Sequence, residues 1–579
     1  MAESKNGPYR AKKKKAEELL LAQRLPEARA AFAQLCQLDP RDYDAWLNLG
    51  AIEGMLGKLD VAEVAFKKAL TLRNDESRAY FNLARLCNMQ ERFDEAFNYW
   101  VGYLRLKPDD ADGYAQIGRL LYRVGRTAEA VQAMHDALQR NPNEATYYSN
   151  IGVMLCQLGR NDEALASYQN ALRLKPNMDE AYCNLGNLYH NIGEGELARA
   201  SYAKALEINP LNAPAHMNLG FHYSRTGCND EALRCLREAL QLQPKYAGAH
   251  WNLALLLLLL GRLREGWQEY EWRFQCDEIR RPEIIARLAS KPMWNGSPLS
   301  GQTLLVYAEQ GFGDTLQFCR YLPLVRRRVD RVLFECQPEL YRLLSGLFVG
   351  IELIQRGSES VLPTISHDLQ IPLMSLPRLF ETEMETIPEA VPYIHADPLL
   401  VEQWRQRFDS SEFKVGLVWA GSPTHQRDQK RSLSLTAFTP LGEIQKISLY
   451  SLQKGPVAAE AVTPPNGMHL IDLAPELDDF ATTAAVIANL DLVITVDTAV
   501  AHLAGAMGKP VWALIYSPPD WRWLLDREDS PWYPTMRLFR QESPGEWGPV
   551  IERVALELEK VVSPKIRNIE PLKESPANG

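Results

Sequence analysis

Hydrophobic positions in the first half of the chain recur with a period of 34 residues. In each period a small residue is followed four positions later by a large one, as in Ala28 and Phe32 or Ala164 and Tyr168. This spacing places both side chains on one face of a helix, and a proline then interrupts it, so each period predicts a helical hairpin. The prolines in this phase are Pro40, Pro108, Pro142, Pro176, Pro210 and Pro244, with Asn74 at the remaining position.

A leucine–glycine or isoleucine–glycine pair precedes most of these positions and marks a close contact with the preceding helix, as at Gly50. With the 34-residue period, this pattern resembles the tetratricopeptide repeat family over residues 9–276. There are seven full units and an eighth that starts near Ala247. The second helix of the eighth unit departs from the pattern at Gly266 and Arg273, so we interpret this unit as a degenerate cap that joins the array to another domain.

The periodicity changes after the array, where short apolar runs alternate with helical segments. A proline-bearing linker is predicted for residues 277–302, followed by two α/β halves, each Rossmann-like, at residues 303–398 and 399–562. The rest is a basic flexible head, residues 1–8, and a disordered tail, residues 563–579. Strands are predicted at 303–309, 331–335, 351–354, 415–421, 447–455 and 492–496.

One segment of the second half, residues 491–515, reads as a strand, a sharp turn, a short helix and a second strand. The turn carries Asp497 and Thr498, and His502 lies one helical turn beyond Thr498. A helix N-terminus at the carboxyl end of a strand favours a phosphate group, so these residues are candidates for binding a nucleotide. The alternative is an ordinary βαβ unit with a capping threonine and a packed histidine.

A second candidate loop follows the first predicted strand and contains Gln310, Gly311, Gly313 and Asp314. Its glycines permit close approach of a ligand to the backbone, and Asp314 stands near the start of the next helix. The alternative is a glycine turn with a capping aspartate.

Further donor-side candidates follow the strands of the last half. Gly421 and Ser422 stand at the end of one strand, and Gln453 stands near the end of the next. The loop between them carries Lys430 and Arg431, which are either ordinary surface charge or cations placed to meet a phosphate.

Residues 300–562 resemble the GT-B glycosyltransferases, nearest to the heptosyltransferase type that is fused to tetratricopeptide repeats in bacteria. The motifs that carry the resemblance are EQGFGDTLQFCRYLP, ECQPEL, VDTAVAHLAGAMGKPVW and PPDWRW. The fold class is therefore expected to be an α-solenoid followed by an α/β GT-B fold with two Rossmann-like halves. The resemblance implies that Asp314 is the catalytic base and that Lys430 faces the phosphates of a sugar nucleotide. It also implies that Asp497, Thr498 and His502 form the donor-binding turn, and that Gln310, Gly311 and Gly313 shape the acceptor-side loop.

The sixth position of successive repeats carries an amide side chain. An amide both donates and accepts hydrogen bonds, so a column of amides could hold an extended peptide by its backbone. This resembles the asparagine ladder of the O-linked N-acetylglucosamine transferase superhelix, although asparagine is also common at this position in tetratricopeptide repeats generally. The residues are Asn48, Asn82, Gln116, Asn150, Asn184, Asn218 and Asn252.

The sequence thus predicts a metal-independent, inverting glycosyltransferase that needs no cofactor besides its nucleotide-sugar donor and acts on a protein held by the repeats. The alternatives are a non-catalytic scaffold with a vestigial GT-B domain, or a transferase acting on glycolipid or exopolysaccharide. A net charge of −9 disfavours a nucleic-acid partner. Nine scattered cysteines without CxxC spacing indicate reduced thiols and no zinc site. The aliphatic run 253–260 is too short to span a membrane, so we expect a cytoplasmic protein.

Overall fold

The computed structural model describes residues 6–276, 282–357, 366–388, 390–408, 411–424 and 428–567. Its contacts divide the chain into two units, Met1–His222 and Tyr223–Gly579.

The first unit consists of antiparallel helix pairs, as the repeat predicts. Its helices are α1 (Asn6–Leu21), α2 (Leu25–Leu38), α3 (Tyr43–Met55), α4 (Leu59–Leu72), α5 (Ser77–Met89), α6 (Phe93–Leu106), α7 (Ala111–Arg123), α8 (Thr127–Arg140), α9 (Ala145–Gln157), α10 (Asn161–Leu174), α11 (Asp179–Asn191), α12 (Gly195–Ile208) and the greater part of α13 (Ala213–Arg225), whose last three residues belong to the second unit. Helix α1 begins at Asn6, inside the predicted flexible head, while residues 1–5 lie outside the described residues.

Close packing within a hairpin explains the glycine and the large residue of each repeat. A Cβ atom added to Gly152 of α9 would lie 2.5 Å from the ring of Tyr168 on α10, and one added to Gly186 would lie 2.5 Å from Tyr202. Only glycine admits the aromatic ring at this distance, so the small-large pattern in the sequence records a helix-to-helix contact.

The second unit begins with helices that continue the repeat pattern: α14 (Asn229–Leu242), α15 (Ala247–Leu259) and α16 (Leu263–Tyr270). Helix α16 is short and passes into a 3₁₀ turn, Glu271–Gln275. The predicted linker, residues 277–302, is not merely a connection, because it contains α17 (Pro282–Ser290), a buried Trp294 and the start of the first strand.

The first α/β half is built on a four-stranded parallel sheet. Its strands are β1 (Leu299–Tyr307), β2 (Val329–Cys336), β3 (Ile351–Gln355) and β4 (Leu369–Pro372), in the order β3-β2-β1-β4. The accompanying helices are α18 (Phe312–Phe318), α19 (Leu322–Arg326), α20 (Pro338–Leu344), α21 (Leu376–Leu379) and α22 (Pro398–Arg405).

The last half contains a six-stranded parallel sheet. Its strands are β5 (Phe413–Val418), β6 (Ile447–Ser451), β7 (Leu470–Asp472), β8 (Leu492–Val496), β9 (Val511–Ile515) and β10 (Met536–Arg540), in the order β10-β9-β8-β5-β6-β7. This is the doubly wound strand order of dinucleotide-binding folds. Its helices are α23 (Asp428–Arg431), α24 (Thr439–Gly442), α25 (Phe480–Asn489), α26 (Ala499–Ala506) and α27 (Gly548–Arg567).

The fold class predicted from the sequence, an α-solenoid followed by an α/β GT-B fold, is confirmed. The predicted disordered tail, residues 563–579, is wrong at its start, because helix α27 continues through this boundary to Arg567. Residues 568–579 lie outside the described residues. Within the described residues, every helix is too short or too polar to cross a bilayer.

Candidate functional site

The predicted donor turns meet at the point where the strand order of the six-stranded sheet reverses. Strands β5 and β8 are neighbours there, with Val418 paired to Thr495. Both strands end at the same edge, so the Gly421 turn and the turn at Asp497 and Thr498 lie at the carboxyl end of adjacent strands. Ligands of open α/β sheets bind in the crevice at this position.

Thr498 immediately precedes α26, but its hydroxyl does not cap that helix. The Thr498 hydroxyl is instead hydrogen bonded to the hydroxyl of Thr495 at 2.9 Å. The capping threonine weighed as an alternative is therefore not what the structure contains. The N-terminus of α26 faces the edge of the sheet with Asp497 and Thr498 half-buried beside it.

Gln453 holds the end of β5 in place. Its buried amide oxygen accepts hydrogen bonds from the backbone N–H groups of Trp419 and Ala420 at 3.0 and 2.8 Å, and its amide nitrogen donates to the Ala420 carbonyl at 3.0 Å. Gly421 donates its N–H to the Ser432 hydroxyl at 2.9 Å. These residues shape the donor-side edge through contacts within the protein, and exposed Ser422 is hydrogen bonded to Thr424 at 2.9 Å.

Arg431, the neighbour of the predicted Lys430, contacts the donor turn. Its guanidinium donates to the backbone carbonyl of Asp497 at 3.0 Å and pairs with Asp428 at 3.3 Å. Lys430 is exposed on the same short helix, α23. The sequence indicates two adjacent basic residues in this loop, and the structure identifies Arg431 as the one that contacts the backbone of Asp497.

Asp497 has an unusual protonation equilibrium. Burial and the nearby carboxylate of Asp520 raise the pKa of Asp497 to about 6, against the opposing influence of Arg431 and Arg522. Asp497 therefore changes its charge close to neutral pH, in the place where a charged ligand would arrive.

Asp314 is the capping aspartate that the sequence offers as an alternative, and its second oxygen makes a further contact. One carboxylate oxygen accepts the backbone N–H of Gly311 at 3.0 Å and so caps α18. The other oxygen pairs with the guanidinium of Arg522. The carboxylate is little exposed, at 17% of its side-chain surface, and both of its oxygens are engaged within the protein.

Arg522 is the functional candidate that sequence reasoning did not single out. Besides Asp314, its guanidinium pairs with Asp520 at 2.7 Å and donates to the amide oxygen of Gln317 at 3.1 Å. It also lies over the ring of Trp521, 4.3 Å from the centroid. Arg522 comes from the last half and Asp314 from the preceding one, so the pair links the two halves. The available signal was an arginine between two tryptophans in the PPDWRW motif, to which no role was assigned.

His502 is a packed, neutral histidine. Its Nδ1 is hydrogen bonded to the Tyr533 hydroxyl at 2.9 Å, and its ring stacks on Trp523 with 5.4 Å between centroids. Burial and the positive charge of Arg522 lower the pKa of His502 to about 3. A Cβ atom added to Gly313 would lie 2.8 Å from the imidazole, so this glycine lets α18 approach α26.

Gln310, the remaining acceptor-side candidate, is held from both sides. Its amide donates to the Tyr270 hydroxyl at 2.9 Å, and its carbonyl accepts from the side chain of Gln337 at 2.8 Å. The loop from Gln310 to Asp314 is thus fixed by contacts at both ends.

The amide residues of the repeats occupy equivalent positions on the first helix of each pair and are half-buried. Asn218 also serves within the array, because its amide donates to the side chain of Asn187 at 2.8 Å. Asn252 lies on α15 in the second unit and is likewise half-buried. In the first unit the set comprises Asn48, Asn82, Gln116, Asn150, Asn184 and Asn218.

The described part of the chain contains no group of three or more histidine, cysteine, aspartate or glutamate side chains that could hold a metal ion. The nine cysteines, all within the described residues, are not joined in disulfides.

Comparison with known proteins assigns both parts of the chain. Tetratricopeptide repeat models match residues 13–77, 55–111 and 179–212, and a TPR repeat model matches residues 152–193 and 223–261. The model of glycosyltransferase family 9 (heptosyltransferase) matches residues 448–522. That range contains Asp497, Thr498, His502 and Arg522, whereas Asp314 and Lys430 lie outside it.

A curated relative, protein FlbA of Caulobacter vibrioides, is 28% identical over 334 residues, which is 53% of this chain and 54% of FlbA. The chain therefore spans about half the length of that relative. Similar solved structures include a tetratricopeptide repeat protein from Parabacteroides merdae, at 18% identity and a TM-score of 0.38 over 43% of this chain and 98% of that one. Another is MamA protein, at 23% identity and a TM-score of 0.26 over 30% of this chain and 93% of that one. The matched models confirm both family resemblances drawn from the sequence, because the chain joins tetratricopeptide repeats to a glycosyltransferase family 9 domain.

Proposed function

We propose that this fusion of tetratricopeptide repeats with a glycosyltransferase family 9 domain transfers a sugar from a nucleotide-sugar donor to an acceptor hydroxyl. The observation that carries the proposal is the contact between Asp314 of one α/β half and Arg522 of the other. Arg522 also lies in the electrostatic field of Asp497, so a base candidate and the donor turn converge on one guanidinium.

The reaction is a single displacement in this proposal. The acceptor hydroxyl attacks the anomeric carbon while its proton passes to the Asp314 carboxylate, and the bond from that carbon to the diphosphate oxygen breaks. The bonding electrons remain on the nucleoside diphosphate, and attack from the opposite face inverts the anomeric configuration. A positioned carboxylate contributes about 10²- to 10⁴-fold in such a step.

Stabilisation of the leaving group is assigned to side chains and to helix α26. The N–H groups at the start of α26 and the guanidinium of Arg431 lie beside the Asp497 turn. A diphosphate is also a strong competitor for Arg522, because guanidinium groups bind phosphate oxygens in pairs. Donor binding would then draw Arg522 away from Asp314 and leave the carboxylate free to accept a proton. These cations make the transfer metal-independent in our proposal.

A protein acceptor is supported by the repeated amides of the first unit. Six equivalent amide side chains, half-buried on the first helices of successive repeats, match the donor and acceptor pattern of an extended backbone. The requirement for a nucleotide-sugar and the free thiols fit a cytoplasmic enzyme.

Thermal unfolding of the full-length chain with UDP, GDP or ADP tests the donor site. Full-length protein is required because Trp267 and Tyr270, from α16, are buried against the first α/β half. One nucleotide should raise the unfolding temperature of the second unit more than the others, and turnover with its sugar derivatives should persist in EDTA. Equal, negligible shifts with all three nucleotides would contradict the proposal.

The second candidate is a scaffold that keeps the fold without turnover. One observation favours it: both oxygens of Asp314 are engaged within the protein, one by Arg522 and the other by the backbone N–H of Gly311. The scaffold hypothesis predicts that no nucleotide shifts the unfolding temperature and that no sugar is released from any donor.

A further inference from the structure

The four-stranded sheet has its own point of reversed strand order, and a side chain from outside the sheet fills it. Strands β1 and β4 are neighbours there, and Glu309 and Ser375 follow their carboxyl ends. The guanidinium of Arg273, from the turn after α16, donates to Glu309 and to the hydroxyl of Ser375, both at 2.8 Å. Arg273 is 0% exposed, so it occupies the crevice where such a sheet would otherwise hold a ligand.

Two aromatic residues of α16 extend this contact towards the acceptor-side loop. Trp267 meets the rings of Phe318 and Trp521 at 5.6 and 5.2 Å between centroids. Tyr270 is 1% exposed, and its hydroxyl accepts the hydrogen bond from the amide of Gln310. The last helix of the repeat pattern is therefore part of the core beneath this loop.

Stability alone does not explain why a buried ion pair occupies this crevice. Arg273 Nε and the second oxygen of Glu309 are buried without hydrogen-bond partners among the described residues. Buried ion pairs are often no more stable than apolar side chains of similar volume, because both charges lose their hydration. What the polar contacts provide is a defined orientation for the chain that leaves β1.

The segment that follows β1 leads directly to Asp314, the proposed base. Gln310 is followed by Gly311, whose N–H donates to the Asp314 carboxylate at 3.0 Å. A shift of Gln310 would therefore move the donor that orients Asp314.

We propose that Tyr270 is a positioning residue of the transferase, which holds Gln310 and through it the loop that carries Asp314. The degenerate eighth hairpin, residues 247–275, is then a component of the acceptor side of the enzyme as well as the end of the array. This inference rests on the proposed role of Asp314 for its kinetic consequences, but not for its structural ones.

The test compares full-length Tyr270→Phe with a matched control, Tyr168→Phe. Both changes remove one hydroxyl from a buried tyrosine; Tyr168 is 2% exposed and its hydroxyl contacts Cys156 in the first unit. Hydrogen exchange of the backbone amides in residues 309–317 is measured by mass spectrometry, together with kcat and the donor KM. Tyr270→Phe should accelerate exchange in this segment and lower kcat about five- to tenfold, the scale of one lost hydrogen bond, with the donor KM unchanged. Tyr168→Phe should leave all three unchanged.

A double-mutant cycle with Gln310→Leu separates positioning from general destabilisation. If the Tyr270–Gln310 contact carries the effect, Tyr270→Phe and Gln310→Leu together should lower kcat no further than either change alone. Additive losses of kcat, or a lower unfolding temperature in Tyr270→Phe with unchanged exchange in residues 309–317, would overturn the inference. If the wild-type chain shows no turnover, the proposed function fails while the exchange measurement alone decides the positioning role.

Discussion

The two α/β halves share a parallel-sheet topology, but their points of reversed strand order are used differently. In the first half the crevice between β1 and β4 is occupied by the buried guanidinium of Arg273. In the last half the corresponding edge, between β5 and β8, presents half-buried Asp497 and Thr498 and the N-terminus of a helix. Topology thus marks two possible ligand sites: Arg273 fills the first, and in our proposal the nucleotide binds at the second.

The carboxylates at the two edges show the same contrast. Burial raises the pKa of Glu309 to about 7, and the carboxylate is paired with Arg273. Asp497, at the other edge, lies near three charged side chains, those of Asp520, Arg431 and Arg522. Of these, Arg522 also pairs with Asp314 of the first half. In the proposed mechanism Arg522 exchanges Asp314 for the diphosphate of the donor. Arg273 and Glu309 stay paired, because their ion pair is part of the core.

The largest effect is expected from Asp314→Asn. The amide keeps the shape of the carboxylate but cannot take the acceptor's proton, so kcat should fall by about 10²-fold or more. The nucleoside diphosphate should bind at least as tightly as to wild type, because it no longer competes with a charged Asp314 for Arg522. Steady-state kinetics with the donor identified by the unfolding screen measures this. The exposed Asp330 provides a control, Asp330→Asn, which should behave as wild type. Full activity in Asp314→Asn would show that Asp314 is not the general base.

A second prediction concerns the pH dependence of stability. The pKa of His502 is lowered to about 3, whereas an exposed histidine titrates near 6.5. Between pH 6.5 and 3 the unfolded chain binds a proton at His502 that the folded chain excludes. The contribution of His502 to the free energy of unfolding is therefore complete above pH 6.5 and falls by about 1.4 kcal/mol per pH unit as the pH is lowered towards 3.

His502→Gln should flatten this acid limb, as followed by denaturant unfolding with tryptophan fluorescence between pH 4 and 7. Glu309 and Asp497 oppose the trend, since a raised pKa stabilises the fold at low pH and its benefit disappears as the pH rises through about 7 and about 6. Wild type and variant are therefore compared at each pH, with the exposed His395→Gln as control. Parallel profiles for wild type and His502→Gln would show that His502 is not the buried neutral group described here.

Nucleotide affinity offers the direct comparison of the two edges. Thr498→Val removes a hydroxyl from the edge between β5 and β8, and Ser375→Ala removes one from the edge that Arg273 fills. Calorimetric titration should show binding weakened about fivefold to tenfold by Thr498→Val, as expected for one hydrogen bond, and unchanged by Ser375→Ala. The reverse order of effects would place the nucleotide in the first half.

The smallest effect is expected in the repeats. Replacing Asn150, Asn184 and Asn218 together by alanine should raise the KM for a protein acceptor several-fold, with donor hydrolysis intact, because each amide contributes about 1 kcal/mol or less to a shared contact. The loss should be independent of acceptor sequence if the backbone is recognised. Asn218 also donates to Asn187, so Asn187→Ala alone controls for that internal bond. Unchanged kinetics with a protein acceptor, or equal activity of the triple variant on a glycolipid, would assign the array to assembly or localisation.

Sequence reasoning performed best where structure is local. The turn at Asp497 was placed correctly because strand β8, the turn and α26 follow one another within fifteen residues, residues 492–506. It performed worst where one residue had to be chosen by its distant partners. Lys430 and Arg431 are adjacent in the sequence, and it is Arg431 whose guanidinium donates to the Asp497 carbonyl. The role of Gln453 in holding a strand end likewise follows from hydrogen bonds to residues 33 and 34 positions away.

The sequence alone determined the helical hairpins, the two α/β halves and the candidate turns, because the spacing of apolar, glycine and proline residues reflects contacts within a few turns of helix or one strand. Only the tertiary structure decided which residues share a site. Arg522 and Asp314 are 208 residues apart, and the departure from the repeat at Arg273 acquires its meaning only when that side chain is buried between the ends of β1 and β4. Ion pairs of this kind depend on how whole elements pack, and a periodic pattern carries no record of that.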